Sequence, residues 1–345
     1  MIGLVLQGGG ARGSYQVGAV EALLRRNIKF DVVVGTSIGA INGALIASNE
    51  FEKLKKLWLS LDSKKIFGTS SYNNFTLNEF SENINDIKKI FNNKGIDITN
   101  FKELLVKNID ENKIRTSQID YGLTTYCLTD NKMIETFKEN IQKGKLSEYV
   151  LASSYLPIFK KEKIIDNKYY LDGGVFNNCP ISMLDSKKFD KIYVIKIYKN
   201  NKIDKIMKKE NVSIIAPNEN LGSIINFDQK RTKYNFKLGY YDTLRELDNL
   251  DGNKYYIKFM KDDYYKKLFE KDIKKYILFE TTMYDKVNEK KIILKIIEKL
   301  ATEYKIERFK VYTLLELILM LKIRMKNDKE NKYYSFIKHI KLKTK

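Results

Sequence analysis

This 345-residue sequence predicts an α/β fold built on a parallel or mixed sheet. Two stretches near the N-terminus carry most of that prediction. Leu4–Leu24, LVLQGGGARGSYQVGAVEALL, reads as an apolar strand, a glycine-rich turn and a helix. Phe30–Ser48, FDVVVGTSIGAINGALIAS, repeats the pattern with a sharp turn and a small-residue helix. Uninterrupted apolar runs suit strands buried on both faces, and successive strand–turn–helix units build such sheets. A third observation is the series of short strand patterns that follows.

Taken in order, Ile2–Gln7 is a short buried strand, and Ser14–Arg26 places Val17, Val20, Leu23 and Leu24 at helical spacing. From Leu54 to about Lys113 the chain is polar, asparagine-rich and weakly helical, as expected of a cap or lid; Trp58 within it is expected to pack in core or cap. Ile119–Asp130 is a strand, and Leu146–Ser154 is a short helix leading into YLPIF. Asn167–Pro180, NKYYLDGGVFNNCP, is a strand followed by a glycine turn. Asp190–Tyr198 and Val212–Pro217 are two further strands, and from Gln229 the pattern is mostly helical. Beyond about Asp285, KKIILKIIEKL and VYTLLELILMLKIRM are amphipathic helices with lysine-rich flanks. The expected organisation is a catalytic domain over 1–217, with 54–113 as its cap, and a mostly helical region over 218–345 ending in a basic tail.

A hydrophobic fraction of 43% supports a sizeable core, and neither a linker nor an internal repeat is visible. Lysines interrupt the apolar stretches well short of the ~20 residues of a membrane-spanning helix. The N-terminus shows no signal-peptide pattern, so the expected location is cytoplasmic, with peripheral contact at the inner membrane face. Cys127 and Cys179 are too few for a disulfide framework and lack metal-ligand spacing, so both are expected as free thiols. The net charge of +20 suggests anionic partners. The basic C-terminal helices would suit an anionic membrane surface, or else form an ordinary helical appendage. Tyrosine and lysine interleave in DGNKYYIKFMKDDYYKK, but no nucleic-acid motif accompanies them, and no nucleic-acid partner is expected.

The glycine turn contains G-x-G-x-x-G at Gly8, Gly10 and Gly13, a dinucleotide pattern. That reading needs an acidic residue after the second strand, and Asp31 lies before it. A phosphate-binding P-loop fails as well, because Gly13 stands where a lysine must precede Ser14. The second strand instead leads into Gly35-Thr36-Ser37-Ile38-Gly39, the G-x-S-x-G nucleophile elbow. There Ser37 would sit on a strained turn at a helix N-terminus, with Gly35 and Gly39 leaving room around it. The glycine loop then acquires another use: backbone N–H groups free of side chains can face an oxyanion, with Arg12 stabilising the loop or adding positive charge. A serine hydroxyl needs a proton acceptor. The only histidine, His339, lies in the C-terminal basic tail, so a carboxylate must serve. Asp172, ending a strand before Gly173 and Gly174, is the best candidate.

The blocks GGGARG, GTSIG and DGG, in this order, resemble the signature blocks of the patatin-like phospholipases, and ASSYLPIF at Ala152–Phe159 resembles the family's segment before the aspartate strand. The similarity covers roughly Ile2–Pro217. It implies a three-layer α/β/α sandwich with a central, mostly parallel sheet, in a bacterial member of the family. It further implies a lipid acyl hydrolase with Ser37 as nucleophile and Asp172 as base, Gly8, Gly9, Gly10, Arg12 and Gly13 forming the oxyanion block, and no metal or cofactor. The alternatives are an esterase, thioesterase or acyltransferase using the same dyad on non-membrane substrates, and a non-catalytic membrane-binding protein.

Overall fold

The computed structural model describes residues 1–67, 95–198, 209–269, 288–338 and 340. The chain divides into two compact units, Met1–Thr243 and Leu244–Lys345. The boundary expected at 217/218 therefore falls inside the first unit.

The first unit is built on an eight-stranded sheet. Its strands are β1 (Ile2–Leu6), β2 (Val32–Thr36), β3 (Asp120–Cys127), β4 (Lys132–Phe137), β5 (Lys163–Ile165), β6 (Lys168–Asp172), β7 (Lys191–Ile195) and β8 (Val212–Ile215). The run β3-β2-β1-β7-β8 is parallel throughout, while β4 and β6 pair antiparallel with β3, and β5 with β6. This is a mixed sheet, within the parallel or mixed class that the two N-terminal units predict, and mostly parallel as the resemblance implies. β2 is buried along its whole length and β1 from Gly3 onward, which is why they read as unbroken apolar runs rather than alternating ones. The strands β4 and β5 lie outside the sequence prediction. None of the six residues of β4 is fully buried, and Lys132, Met133 and Glu135 are exposed, so its pattern lacks the apolar signal.

The helices of this unit are α1 (Ser14–Arg25), α2 (Ile38–Ala47), α3 (Phe51–Ser60), α4 (Ser63–Phe67), α5 (Thr99–Asn108), α6 (Glu111–Thr116), α7 (Leu146–Ser153) and α8 (Gln229–Asp248), the last running across the division between units. On one face of the sheet, Ala40, Ala44 and Ala47 of α2, Leu105 of α5, Ile114 of α6 and Val150 of α7 pack on Tyr121 and Leu123 of β3. On the other face Ile181, Met183 and Leu184 of a short 3-10 helix cover Val5, Val34 and Val194. The first part of α8 belongs here because Asp242 accepts a 2.9 Å hydrogen bond from the Tyr15 hydroxyl of α1. Of the span expected as a cap, 68–94 lies outside the described residues; in its flanks Leu54, Trp58, Phe67, Leu105 and Ile109 are buried. Trp58 is buried and donates from Nε1 to Asn42 Oδ1 at 2.8 Å.

One detail of strand register positions the site. Gly122–Cys127 of β3 pairs with β4 along one edge. On the opposite edge β2 pairs only as far as Thr36 with Thr124, and β6 takes over at the next residue, pairing Asp172 with Thr125. Because β2 runs parallel and β6 antiparallel to β3, their C-terminal ends meet head-on. The residue after Thr36 is Ser37.

The second unit has its own core. Its elements are β9 (Tyr256–Ile257), α9 (Asp262–Phe269), α10 (Glu289–Glu303), β10 (Val311–Tyr312), α11 (Leu314–Arg324) and α12 (Tyr334–Lys338), with β9 and β10 paired in parallel. The apolar faces of α10 and α11, including Ile293, Ile297, Leu300, Leu317 and Leu321, are buried in this core, while Leu319 and Ile323 remain exposed. Glu298 Oε1 accepts three backbone N–H bonds, from Asn253, Lys254 and Tyr255, at 2.7–2.8 Å. Among the described residues, no helix is long and apolar enough to cross a membrane.

Candidate active site

Ser37 forms the whole turn between β2 and α2, with φ 57° and ψ −125°. A side-chain-bearing residue holds such a conformation only when its surroundings impose it, at a cost of about 1–3 kcal/mol. Here the imposition is steric and polar together. A methyl group at Gly39 would lie 2.2 Å from the Leu6 carbonyl oxygen, so only glycine lets α2 start this close to the sheet. Thr36 Oγ1 sits 2.9 Å from Thr124 Oγ1 and donates to the Asn177 carbonyl at 2.8 Å, tying the end of β2 to β3 and to the loop after β6. The Ser37 N–H donates to Ser153 Oγ at 2.9 Å.

Asp172 ends β6 and is 4% exposed. Its N–H donates to the Tyr155 carbonyl at 2.8 Å. Its Oδ1 accepts from the Gly174 N–H at 2.7 Å, while Oδ2 is buried and meets no donor at bonding geometry among the described residues. Burial pushes the carboxyl pKa up from its ordinary 3.8 to about 6, against the opposing pull of the nearby Ser37 hydroxyl and the Gly174 N–H. A carboxylate left half-unsatisfied beside a serine hydroxyl is a proton acceptor poised near neutrality.

The glycine loop abuts this pair: a methyl group at Gly8 would stand 3.1 Å from Ser37 Cβ. Of the five residues expected to form the oxyanion block, two have open amides. The Gly8 N–H is taken by the Asn178 carbonyl at 3.0 Å. The Arg12 N–H goes to the Gly9 carbonyl, its Nε to the Gly222 carbonyl at 2.7 Å, and its guanidinium stacks on the Tyr198 ring. Gly13 lies within a 3-10 helix, against Ile38 and Trp58. The amides of Gly9 and Gly10 donate to no acceptor among the described residues. Gly10 has φ 57°, and a methyl there would fall 2.0 Å from the Ile224 carbonyl, which itself accepts the Ala11 N–H at 2.7 Å.

The structure thus brings together Ser37, Asp172, Gly35, Gly39, Gly173, Gly174 and the glycine loop, while His339 lies outside the described residues. Sequence reasoning missed three contributors. The Ile38 N–H, first in α2, is unpaired among the described residues, and the elbow motif itself could have flagged it. Asn178 grips Gly8 twice, through its carbonyl and through Nδ2 donating to the Gly8 carbonyl at 3.3 Å. Ser153 comes from α7, and no local pattern distinguishes it from its neighbour Ser154. A polar surface pocket of about 620 Å³ beside Lys53, Lys113 and Arg115 includes none of these residues.

The family model for patatin-like phospholipases matches residues 4–185. The lysophospholipase nte1 of Aspergillus terreus is 30% identical over 207 residues, covering 57% of this chain and 12% of that protein. A patatin-like phospholipase domain-containing protein of Caenorhabditis elegans is 29% identical over 200 residues, covering 53% of this chain and 12% of that protein. The chain thus spans about an eighth of the length of these curated relatives. Both are eukaryotic and give the expected bacterial source no support. Among solved structures, VipD from Legionella pneumophila aligns with a TM-score of 0.47 at 14% identity, covering 98% of this chain and 87% of that one. The type III effector protein ExoU of Pseudomonas aeruginosa aligns at 0.38 and 14%, covering 95% and 72%. The assignment rests on the family match, which takes in the glycine loop, the elbow and the Asp-Gly-Gly turn: the chain belongs to the patatin-like phospholipase family.

Proposed function

We propose that the protein hydrolyses fatty acyl esters of lipids through Ser37 and Asp172. The observation that carries this reading is the buried Asp172 carboxylate, whose Oδ2 meets no donor at bonding geometry among the described residues, beside a serine held in a strained elbow. Ser37 Oγ attacks the ester carbonyl as Asp172 takes its proton. The charge developing on the carbonyl oxygen is met by the open amides of Gly9, Gly10 and Ile38 and by the N-terminus of α2. The intermediate collapses to an acyl-serine, and Asp172 returns the proton to the departing alcohol. Water then attacks the acyl-serine, Asp172 accepting its proton, and the fatty acid leaves as Ser37 is restored. A base with a pKa of about 6 is mostly charged at neutral pH yet basic enough to take the serine proton. The lipid substrate class is supported by the family and by relatives named lysophospholipases. The excess of 63 Lys and Arg over 43 Asp and Glu would favour an anionic lipid surface.

The test pairs a fluorophosphonate probe with fatty acid release from phospholipid vesicles, in wild type, Ser37→Ala and Asp172→Ala. Labelling at Ser37 with release in wild type alone supports the proposal. Release that survives Ser37→Ala refutes it. Turnover of a monomeric water-soluble ester with none from vesicles would shift the substrate class to soluble esters.

A further inference from the structure

We infer that the C-terminal end of α7 is a brace that sets the separation of Ser37 and Asp172, and that Ser153 is its positioning side chain; this rests on Ser37 being the nucleophile. Ser37 sits where its N–H has no backbone partner. β2 leaves the β3 ladder at Thr36 and the β1 ladder at Gly35, and a residue capping α2 cannot donate into its own helix. The acceptor it finds is Ser153 Oγ, 116 residues along the chain, in a fully buried position. Two residues further on, the Tyr155 carbonyl accepts the N–H of Asp172 at 2.8 Å. One short segment therefore holds the backbone of both members of the pair.

Ser154 provides the contrast. Its Oγ turns back on its own helix, donating to the Val150 and Leu151 carbonyls at 3.1 Å. Ser153 makes no such local bond among the described residues and reaches across to the elbow instead. Removing its oxygen leaves the Ser37 N–H buried and unpaired, in a backbone already at positive φ. The turn would then relax and move Oγ relative to Asp172 and the open amides. A displacement of this kind can cost about 10²-fold in rate without altering substrate binding.

The experiment measures the fluorophosphonate labelling rate constant at Ser37, with kcat and KM for acyl release, in wild type, Ser153→Ala, Ser153→Cys and Ser154→Ala. The rate constant reads only folded molecules, and the labelling amplitude reports how many there are. A fall of about 10- to 100-fold in labelling and kcat is expected for Ser153→Ala, with KM unchanged. Ser153→Cys, which keeps the bulk but accepts hydrogen bonds poorly, should be as slow as the alanine variant, and Ser154→Ala should match wild type. Labelling at the wild-type rate in Ser153→Ala overturns the inference. So does a wild-type rate in Ser153→Cys, which would make the effect one of volume, or equal slowing in Ser154→Ala, which would make it one of general α7 packing. A wild type that is never labelled defeats the reading of Ser37 as nucleophile, and this inference with it.

Discussion

Replacing Asp172 with asparagine should stabilise the fold while removing the activity. The Asp172 carboxyl is 4% exposed, and burial raises its pKa from 3.8 to about 6. A difference of about two units corresponds to about 3 kcal/mol between its two protonation states. Because the folded-state pKa is the higher one, folding favours the protonated form. That contribution is fully present below about pH 3.8 and is lost as pH rises through about 6. Above that, the charged carboxylate leaves the wild type about 3 kcal/mol less stable than a neutral isostere would. Asparagine never ionises, and its Oδ1 can still accept from the Gly174 N–H. The stability gain of Asp172→Asn should therefore be only about 0.5 kcal/mol at pH 4 and about 3 kcal/mol at pH 7. With an unfolding entropy of about 2.1 cal/mol/K per residue, the 243 residues of the first unit convert that into a rise of about 6 °C in Tm. Thermal unfolding of both proteins from pH 4 to 8 measures it, while acyl release should fall by about 10²- to 10⁴-fold. A Tm difference that is flat across pH, or a variant that melts below wild type at pH 7, would refute the account of Asp172 as a desolvated, under-partnered base.

Three further outcomes follow from the same geometry. The pH profile of kcat/KM should rise through about 6 as Asp172 loses its proton, and a profile that falls through that range would contradict Asp172 as base. Gly10→Ala would place a methyl 2.0 Å from the Ile224 carbonyl in a backbone at φ 57°, so the open amides must move. Its kcat should drop by about 10²- to 10³-fold, measured by acyl release at saturating lipid. In the second unit, Glu298→Ala strips the acceptor from three amides, of which that of Tyr255 is buried, and should destabilise that unit by about 1–3 kcal/mol; hydrogen exchange at Asn253, Lys254 and Tyr255 reads it directly.

The elements around β1, β2 and the elbow were legible because their signals are local. A strand buried on both faces must be apolar throughout, and a turn that starts a helix against the sheet must carry glycine. Asp172 was legible for a related reason, as the acidic residue of a strand-ending Asp-Gly-Gly in a chain with one remote histidine. β4 and β5 were not legible. β4 mixes exposed and half-buried residues and borrows its order from β3, and β5 is only three residues long. The division between Thr243 and Leu244 falls within α8, where helical periodicity carries no local mark of it.

The sequence by itself determined the chemistry on offer: a serine on an elbow, a carboxylate on a glycine turn, and a loop of bare amides. Tertiary structure alone decided how these groups are placed. Strand register placed the end of β6 against the end of β2 along one edge of β3, and register depends on pairing between residues some 45 to 90 positions apart. Partners still more distant in the chain decided which amides stay open, since the Asn178 carbonyl occupies Gly8 and the Ile224 carbonyl occupies Ala11, leaving Gly9 and Gly10 among the described residues. The pKa of Asp172 was decided in the same way. Desolvation depends on everything packed around the carboxyl, and no run of neighbouring residues encodes it.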